Sequence, residues 1–249
     1  MSRASAAGVD VGGTGIKAAI VDLDSGDLLS DRQRIETPQP ATPSAVSDAV
    51  AYLLDALAWR GPTGLALPGV IQHGVVRTAA NIDPSWIGTS LPDVFGDLAA
   101  DSAAFLNDAD AAALAETAYG AARGQTGLVV TVTFGTGIGV GLVQDGRLIP
   151  NSELGHVELD GQEAEATTSA RAREVAGLSW EAWAAMASRY LQHLENLLWP
   201  DLFVIGGGLA KKPYKWLPYV ATRTPLRPAM LINNAGIVGA AHAAPRQRS

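Results

Sequence analysis

Apolar and polar positions follow two rhythms along this chain. Residues 8–11, 16–23 and 28–35 are apolar or alternating runs, the spacing of half-buried strands. They are divided by Gly12-Gly13-Thr14-Gly15 and by Asp24-Ser25-Gly26-Asp27. Both dividers are turn chemistry, because glycine supplies positive φ and Asp and Ser favour tight turns. The proline-rich run 37–43 reads as a loop, after which Ser44 is placed to cap a helix carrying Val46, Val50, Leu53, Leu54 and Leu57 on one face. Residues 65–67 and 75–76 predict short strands, and 103–106 another that ends at Asn107-Asp108. The Ala-rich stretch 108–119 predicts a helix, 128–134 and 138–143 strands, and 179–198 the longest helix. A buried strand over 202–205 runs into Gly206-Gly207-Gly208, and a last helix follows Asn234.

One internal repeat organises these elements. Gly13-Thr14-Gly15-Ile16 lines up with Gly135-Thr136-Gly137-Ile138 at an offset of 122 residues, and each copy follows one strand and opens another. A duplication at half the chain length predicts two lobes built alike; solenoid periods are shorter, about 20–50 residues. The alternative is chance similarity between two Gly-rich hairpins.

Composition narrows the function classes. The chain has 249 residues, 47% hydrophobic and 17% charged, which excludes a disordered, solvating chain. A net charge of −7 gives no general attraction to nucleic acid or anionic membrane, so a polyanion would need a local basic site. With no cysteine there is no disulfide, thiol nucleophile or thiolate metal site, which fits a cytoplasmic protein. No apolar segment precedes the first strand, arguing against a secretory signal, and the longest apolar stretch is shorter than the ~20 residues of a membrane helix.

Three clusters carry chemistry. The two Gly-Thr-Gly turns offer backbone N–H groups and a Thr hydroxyl to phosphate oxygens. Neither continues into the Gly-Lys-Ser/Thr of a Walker loop, and neither opens a helix as a Rossmann fingerprint does. Together with the triple glycine Gly206-Gly207-Gly208 they imply a phosphate chain gripped between two lobes. At the end of an apolar strand, Asp108 can act as a general base on a hydroxyl, or can merely cap the helix that follows. Asp110 reads as a solvated or helix N-terminal charge. Glu153-Leu154-Gly155-His156 can hold vicinal hydroxyls, with Glu158, Glu163 and Glu165 as further acceptors. His73, His193 and His242 read as structural, and no set of His and carboxylates has metal-ligand spacing.

Asp10-Val11-Gly12-Gly13-Thr14, Leu67-Pro68-Gly69-Val70, Ala79-Ala80-Asn81, Asn107-Asp108, Phe134 to Gly139, Glu153 to His156 and Ile205 to Gly208 occur in the order seen in the ROK family of sugar kinases, which this chain resembles over nearly its whole length. The segments 37–43, 79–88, 178–183, 206–212 and 234–241 resemble its polyphosphate-using branch more narrowly. Most family members carry a Cys-x-Cys-Gly zinc loop after the Glu-x-Gly-His motif. This chain departs from them, as that branch does, and the resemblance implies no zinc site.

The resemblance implies an α/β, two-lobed, actin-like (ribonuclease H-like) sugar kinase fold with a cleft between the lobes. One lobe would be 1–106, joined by the C-terminal helix within 234–249, and the other 107–233. Asp108 would be the catalytic base on the sugar 6-hydroxyl. Gly69, Asn81, Asn107, Glu153 and His156 would bind sugar, with Glu165 standing in for the glutamate that follows the zinc loop in relatives. Asp10 would sit near Mg²⁺, through water. Gly12, Gly13, Thr14, Gly15, Lys17, Gly135, Thr136, Gly137, Gly207, Gly208, Lys211 and Lys212 would bind phosphate. Of only four lysines, three (Lys211, Lys212 and Lys215) follow the triple glycine and would supply the local basic site, or else sit as a solvated helix start.

The expected activity is Mg²⁺-assisted phosphoryl transfer from inorganic polyphosphate to glucose, with mannose as a further acceptor, lobe closure excluding water. ATP as donor in a ROK hexokinase is the alternative. A non-catalytic ROK sugar sensor expects a DNA-binding segment ahead of the first strand, for which residues 1–7 leave no room. Homodimerisation is compatible with the sequence and not fixed by it.

Overall fold

The structure, a computed structural model, describes residues 4–96 and 103–245. The chain divides into two compact units, Met1–Ala115 with Asn234–Ser249, and Glu116–Asn233.

In the first unit, β1 (Ser5–Val11) and β2 (Ile16–Asp22) pair antiparallel, with Val11 opposite Ile16 and Asp10 opposite Lys17. Of the expected strand 28–35 only β3 (Gln33–Ile35) forms, while Leu28 makes an isolated bridge to Val21. The Ser30 hydroxyl accepts the Ile20 N–H at 3.0 Å, replacing the carbonyl that a continued strand would offer. Helix α1 (Pro43–Ala56) is capped by Thr42, whose hydroxyl accepts the Ala45 N–H, and not by Ser44. Pro43 then takes the first helical position, where a missing N–H costs nothing. Val46, Val50, Leu53 and Leu54 are buried as expected, and Leu57 is the C-cap.

The sheet continues through parallel β4 (Thr63–Leu67). A small hairpin, β5 (Ile71–Gln72) and β6 (Val75–Val76), and the short α2 (Leu91–Phe95) come before parallel β7 (Ala103–Asn107). Strand order is β3-β2-β1-β4-β7. Its core packs Val9, Val11, Leu65 and Leu67 against α1, Trp86, Leu91 and Phe95. Helix α3 (Asp108–Ala118) leaves β7 without a linker, and the division between the units falls inside it.

The second unit repeats the pattern with β8 (Leu128–Phe134), β9 (Ile138–Gln144) and β10 (Arg147–Ile149) antiparallel in sequence. After a small hairpin, β11 (Glu158–Leu159) and β12 (Gln162–Glu163), come α4 (Ala164–Thr168), α5 (Ala170–Val175) and the long α6 (Trp180–Leu198). Parallel strands β13 (Leu202–Gly207) and β14 (Leu226–Pro228) complete the order β10-β9-β8-β13-β14. Ser179 caps α6 by accepting the Ala182 N–H. The helix buries Trp183, Tyr190, Leu191 and Leu194 against Val130, Phe134, Phe203 and Ile205. Each such side chain removed from water is worth about 1.5–3 kcal/mol. Both sheets thus run antiparallel, antiparallel, parallel, parallel, and the 122-residue repeat is a duplicated ribonuclease H-like unit, as expected.

The last helix, α7 (Ala235–Ala243), returns to the first unit. It lies so close to the sheet that a Cβ on Gly8 would stand 1.9 Å from the Ile237 carbonyl oxygen, and one on Gly64 1.8 Å from that of Ala240. Asp110 lies in the first turn of α3 and is only 1% exposed, so of its two expected places it takes that of a helix N-terminal charge and not a solvated one. Among the described residues no helix is long and apolar enough to cross a membrane.

Candidate active site

In the first unit, the Gly12 N–H donates to the Gly15 carbonyl at 3.1 Å and closes the first turn. Thr14 is exposed at its tip. None of its glycines has positive φ; what the turn needs is room. A Cβ on Gly13 would stand 2.7 Å from the Asn81 carbonyl oxygen, and one on Gly15 2.9 Å from the Arg34 guanidinium. The turn is braced by the Thr37 hydroxyl, which donates to the Gly12 carbonyl, and by the Gln39 amide, which donates to that of Gly13. Both braces come from the proline-rich loop, to which sequence reading gave no role. Lys17 Nζ lies 2.8 Å from Asp10 Oδ2, so the two residues expected at phosphate and at metal hold each other. The Asp10 carboxyl also lies over Gly236, where a Cβ would be 2.8 Å from its carbon.

Asn107 and Gly69 meet at the C-terminal ends of β7 and β4, the side of an α/β sheet where ligand groups gather. Asn107 Nδ2 donates to the Gly69 carbonyl at 3.1 Å, and its Oδ1 accepts the N–H groups of Ala109 and Asp110 at 2.8 and 3.3 Å. These are the bonds of an N-cap. Asp108 Oδ1 also accepts the Ala109 N–H, at 2.8 Å, but the side chain is exposed. Gly69 has no room for a side chain, since a Cβ would stand 2.2 Å from the Thr78 carbonyl oxygen.

In the second unit, the Gly135 N–H donates to the Gly137 carbonyl at 2.9 Å, with Thr136 exposed between them. The Ile138 N–H beyond this turn donates to Glu165 Oε2 at 2.8 Å. Glu165 therefore braces the strand start beyond the Gly135–Gly137 turn, a contact across 27 residues that no local pattern signals. Gly155 packs on the same strand start, where a Cβ would be 2.1 Å from the Ile138 carbonyl oxygen. That close approach sets Glu153 and His156 beside the turn. His156 Nε2 is 3.5 Å from Glu153 Oε2, and its Nδ1 is 3.2 Å from Glu163 Oε2.

The hydrogen bond to Glu163 raises the His156 pKa above the ordinary imidazole value; burial opposes it, and the charges of Glu165, Glu163 and Glu153 add to the rise. Burial also raises the Glu153 carboxyl, against the His156 charge. Gly207, at φ +77°, sits opposite Phe134 in the parallel β13–β8 pair, so the second glycine turn lies beside the Gly135 turn. Around Gly208 there is open space for a bound group, and Lys211 and Lys212 are exposed just after it.

A model of the ROK family matches residues 6–169. The chain is 53% identical over 237 residues to a polyphosphate glucokinase of Mycobacterium tuberculosis (strain CDC 1551 / Oshkosh), covering 95% of this chain and 89% of the relative. It is 49% identical over 243 residues to one of Mycobacterium leprae, covering 97% of this chain and 75% of that one. The crystal structure of an inorganic polyphosphate/ATP-glucomannokinase from Arthrobacter sp. strain KM superposes with a TM-score of 0.89 at 49% identity, over 95% of this chain and 96% of that one. On the family match and on this identity along nearly its full length, the chain belongs to the ROK family.

Proposed function

We propose that the chain is a polyphosphate-dependent glucokinase, transferring the terminal phosphoryl group of inorganic polyphosphate to the 6-hydroxyl of glucose, and of mannose, in the cytoplasm. The observation that carries the mechanism is the division of labour at α3. Asn107 takes the N–H groups that a cap must satisfy, and the Asp108 carboxylate next to it stays exposed at the strand end. Asp108 accepts the proton of the sugar hydroxyl as that oxygen bonds to the terminal phosphorus. The bridging P–O bond breaks, and the shortened polyphosphate leaves with its electron pair.

Asn107, Gly69 and Asn81 are the first unit's groups for sugar hydroxyls, and Glu153 and His156 are the second unit's. The amides of the Gly12–Gly15, Gly135–Gly137 and Gly207–Gly208 turns, with Lys17, Lys211 and Lys212, hold phosphate oxygens. In such transfers the protein mainly positions reactants and stabilises spreading charge. Among the described residues no group of three or more His, Asp or Glu side chains is arranged to hold a metal ion. The single carboxylate of Asp10, paired with Lys17 and close to a turn whose tip, Thr14, is exposed, fits Mg²⁺, which keeps its waters and binds through one or two carboxylates plus substrate phosphates. Bound there, Mg²⁺ would neutralise charge on the phosphates.

Names of the mycobacterial and Arthrobacter relatives support polyphosphate as donor, and the last also supports ATP as a second donor. The test is glucose 6-phosphate formation with polyphosphate and with ATP, each with Mg²⁺. Turnover with ATP alone would replace this reading by an ATP-dependent hexokinase.

A further inference from the structure

In the second unit two cations converge on one indole. The Arg173 guanidinium carbon lies 3.7 Å from the centroid of the Trp180 ring, and Lys215 Nζ lies 5.9 Å from it. A single cation–π contact stabilises a charge, but two like charges at one ring repel unless an anion joins them. No anion of the protein does so, because neither cation makes an ion pair among the described residues. Glu174 and Glu181 are exposed next door in sequence and pair with neither. Arg173 Nε is moreover a buried donor with no hydrogen-bond partner among the described residues, a cost that a ligand oxygen removes.

The segment that carries Arg173 is tied to the Gly135 turn, because the Arg171 N–H donates to the Gly135 carbonyl at 3.1 Å, and the ring contacts from Trp180 reach it through buried Trp183. Trp180 contacts Trp183 at 6.2 Å between ring centroids, and Trp183 contacts Phe134, the residue before Gly135, at 5.2 Å. On the other side the Lys215 N–H donates to the Lys212 carbonyl, and the Lys212 N–H to that of Leu209, one residue after Gly208.

Resting on the reading of polyphosphate as donor, we propose that Arg173 and Lys215, set by Trp180, bind the phosphate chain beyond its reacting end. Trp180 fixes the guanidinium fork, which matches phosphate oxygens, while the flexible lysine accepts the chain in several registers. The ligand class is a linear inorganic polyanion. Nucleotide bases bind by stacking on open aromatic faces, and Arg173 already covers this indole.

The test compares Arg173→Gln, Lys215→Gln and the double variant on long-chain polyphosphate and on tripolyphosphate. The double variant should raise KM for the long chain about three- to tenfold, the size expected for two screened charge contacts. KM for tripolyphosphate should stay put, and added salt should weaken long-chain use less than in wild type. A long-chain KM unchanged in the double variant, or one that rises together with that for tripolyphosphate, overturns the site. So does a single-stranded oligonucleotide that competes with the long chain as well as unreacted polyphosphate does. If wild type makes no glucose 6-phosphate from any polyphosphate, the donor assignment fails and takes this site with it. Failure of the site alone leaves wild-type turnover on polyphosphate intact.

Discussion

The Glu165 carboxylate accepts the backbone N–H of Ile138 at 2.8 Å. Ile138 opens β9 directly after the second Gly-Thr-Gly turn, and the charge of Glu165 also raises the proton affinity of Glu153 and His156. One carboxylate therefore braces the backbone beyond the second Gly-Thr-Gly turn and adds to pKa rises whose main causes are burial for Glu153 and the Glu163 hydrogen bond for His156.

Gly137→Ala tests that brace. The added Cβ would stand 2.2 Å from Glu165 Oε2, so the carboxylate must leave the Ile138 N–H. Swinging a flexible carboxylate aside is cheap in itself; the loss is its hydrogen bond to the Ile138 N–H, about 1.5–3 kcal/mol for a charged acceptor. The melting temperature should fall, and KM for the phosphoryl donor should rise more than KM for glucose. Equal rises for both substrates would remove the turn from the donor site.

Asp108→Asn keeps size and shape but cannot take a proton. It should leave the circular dichroism spectrum and glucose binding unchanged while lowering kcat roughly 10²-fold or more. Near-normal turnover would reduce Asp108 to a second acceptor for the Ala109 N–H.

Glu153→Gln and His156→Ala should act on the other substrate constant. Both are expected to raise KM for glucose severalfold, with a smaller effect on kcat at saturating sugar. An unchanged KM in both would take the pair out of the sugar site.

The His156–Glu163 contact predicts a pH signature. Because its folded pKa is raised, the stability that His156 contributes is fully present below the ordinary imidazole value, about 6.5, and is lost as pH rises through the raised value. Glu153, raised by burial, has the same sign in the lower carboxylate window. An NMR titration should find the His156 midpoint above that of an unstructured histidine, and Glu163→Gln should lower it. A midpoint indifferent to Glu163→Gln would mean that the 3.2 Å contact is not kept in solution.

Gly64→Ala concerns the fold alone. Its Cβ would stand 1.8 Å from the Ala240 carbonyl oxygen, backbone that cannot rotate aside. A loss of about 3 kcal/mol or more in urea unfolding is expected. A loss below about 1 kcal/mol would mean that α7 shifts freely on its sheet.

Strands and long helices were legible in the sequence because burial on one face writes a period of two or 3.6 directly into it. Legibility ended where neighbouring residues compete for one role and where a partner far along the chain decides. Ser44 looked like the cap of α1, yet Pro43 is best tolerated at the first helical position, which hands the cap to Thr42. The helix N-terminal place of Asp110 is readable locally, whereas its burial is not. The glycines of the first Gly-Thr-Gly turn are legible as a turn, but not for the positive φ that turn chemistry suggests. They make room for Asn81 and Arg34 and do not reach positive φ. Asn107-Asp108 was readable as a motif, whereas the transfer of the capping bonds to Asn107 needed coordinates.

The return of α7 to the first unit sets an order of events on the ribosome. Residues leave it from the N-terminus, so β1 and β4 emerge early with Gly8 and Gly64 still uncovered. The second unit is one continuous segment, Glu116–Asn233, and can complete its core while the helix that covers those glycines has yet to be made. At about 5–20 residues per second, the older half of the chain waits roughly 6–26 seconds for this helix. During that interval the bare backbone of β1 and β4 is the part of the nascent chain most in need of a chaperone.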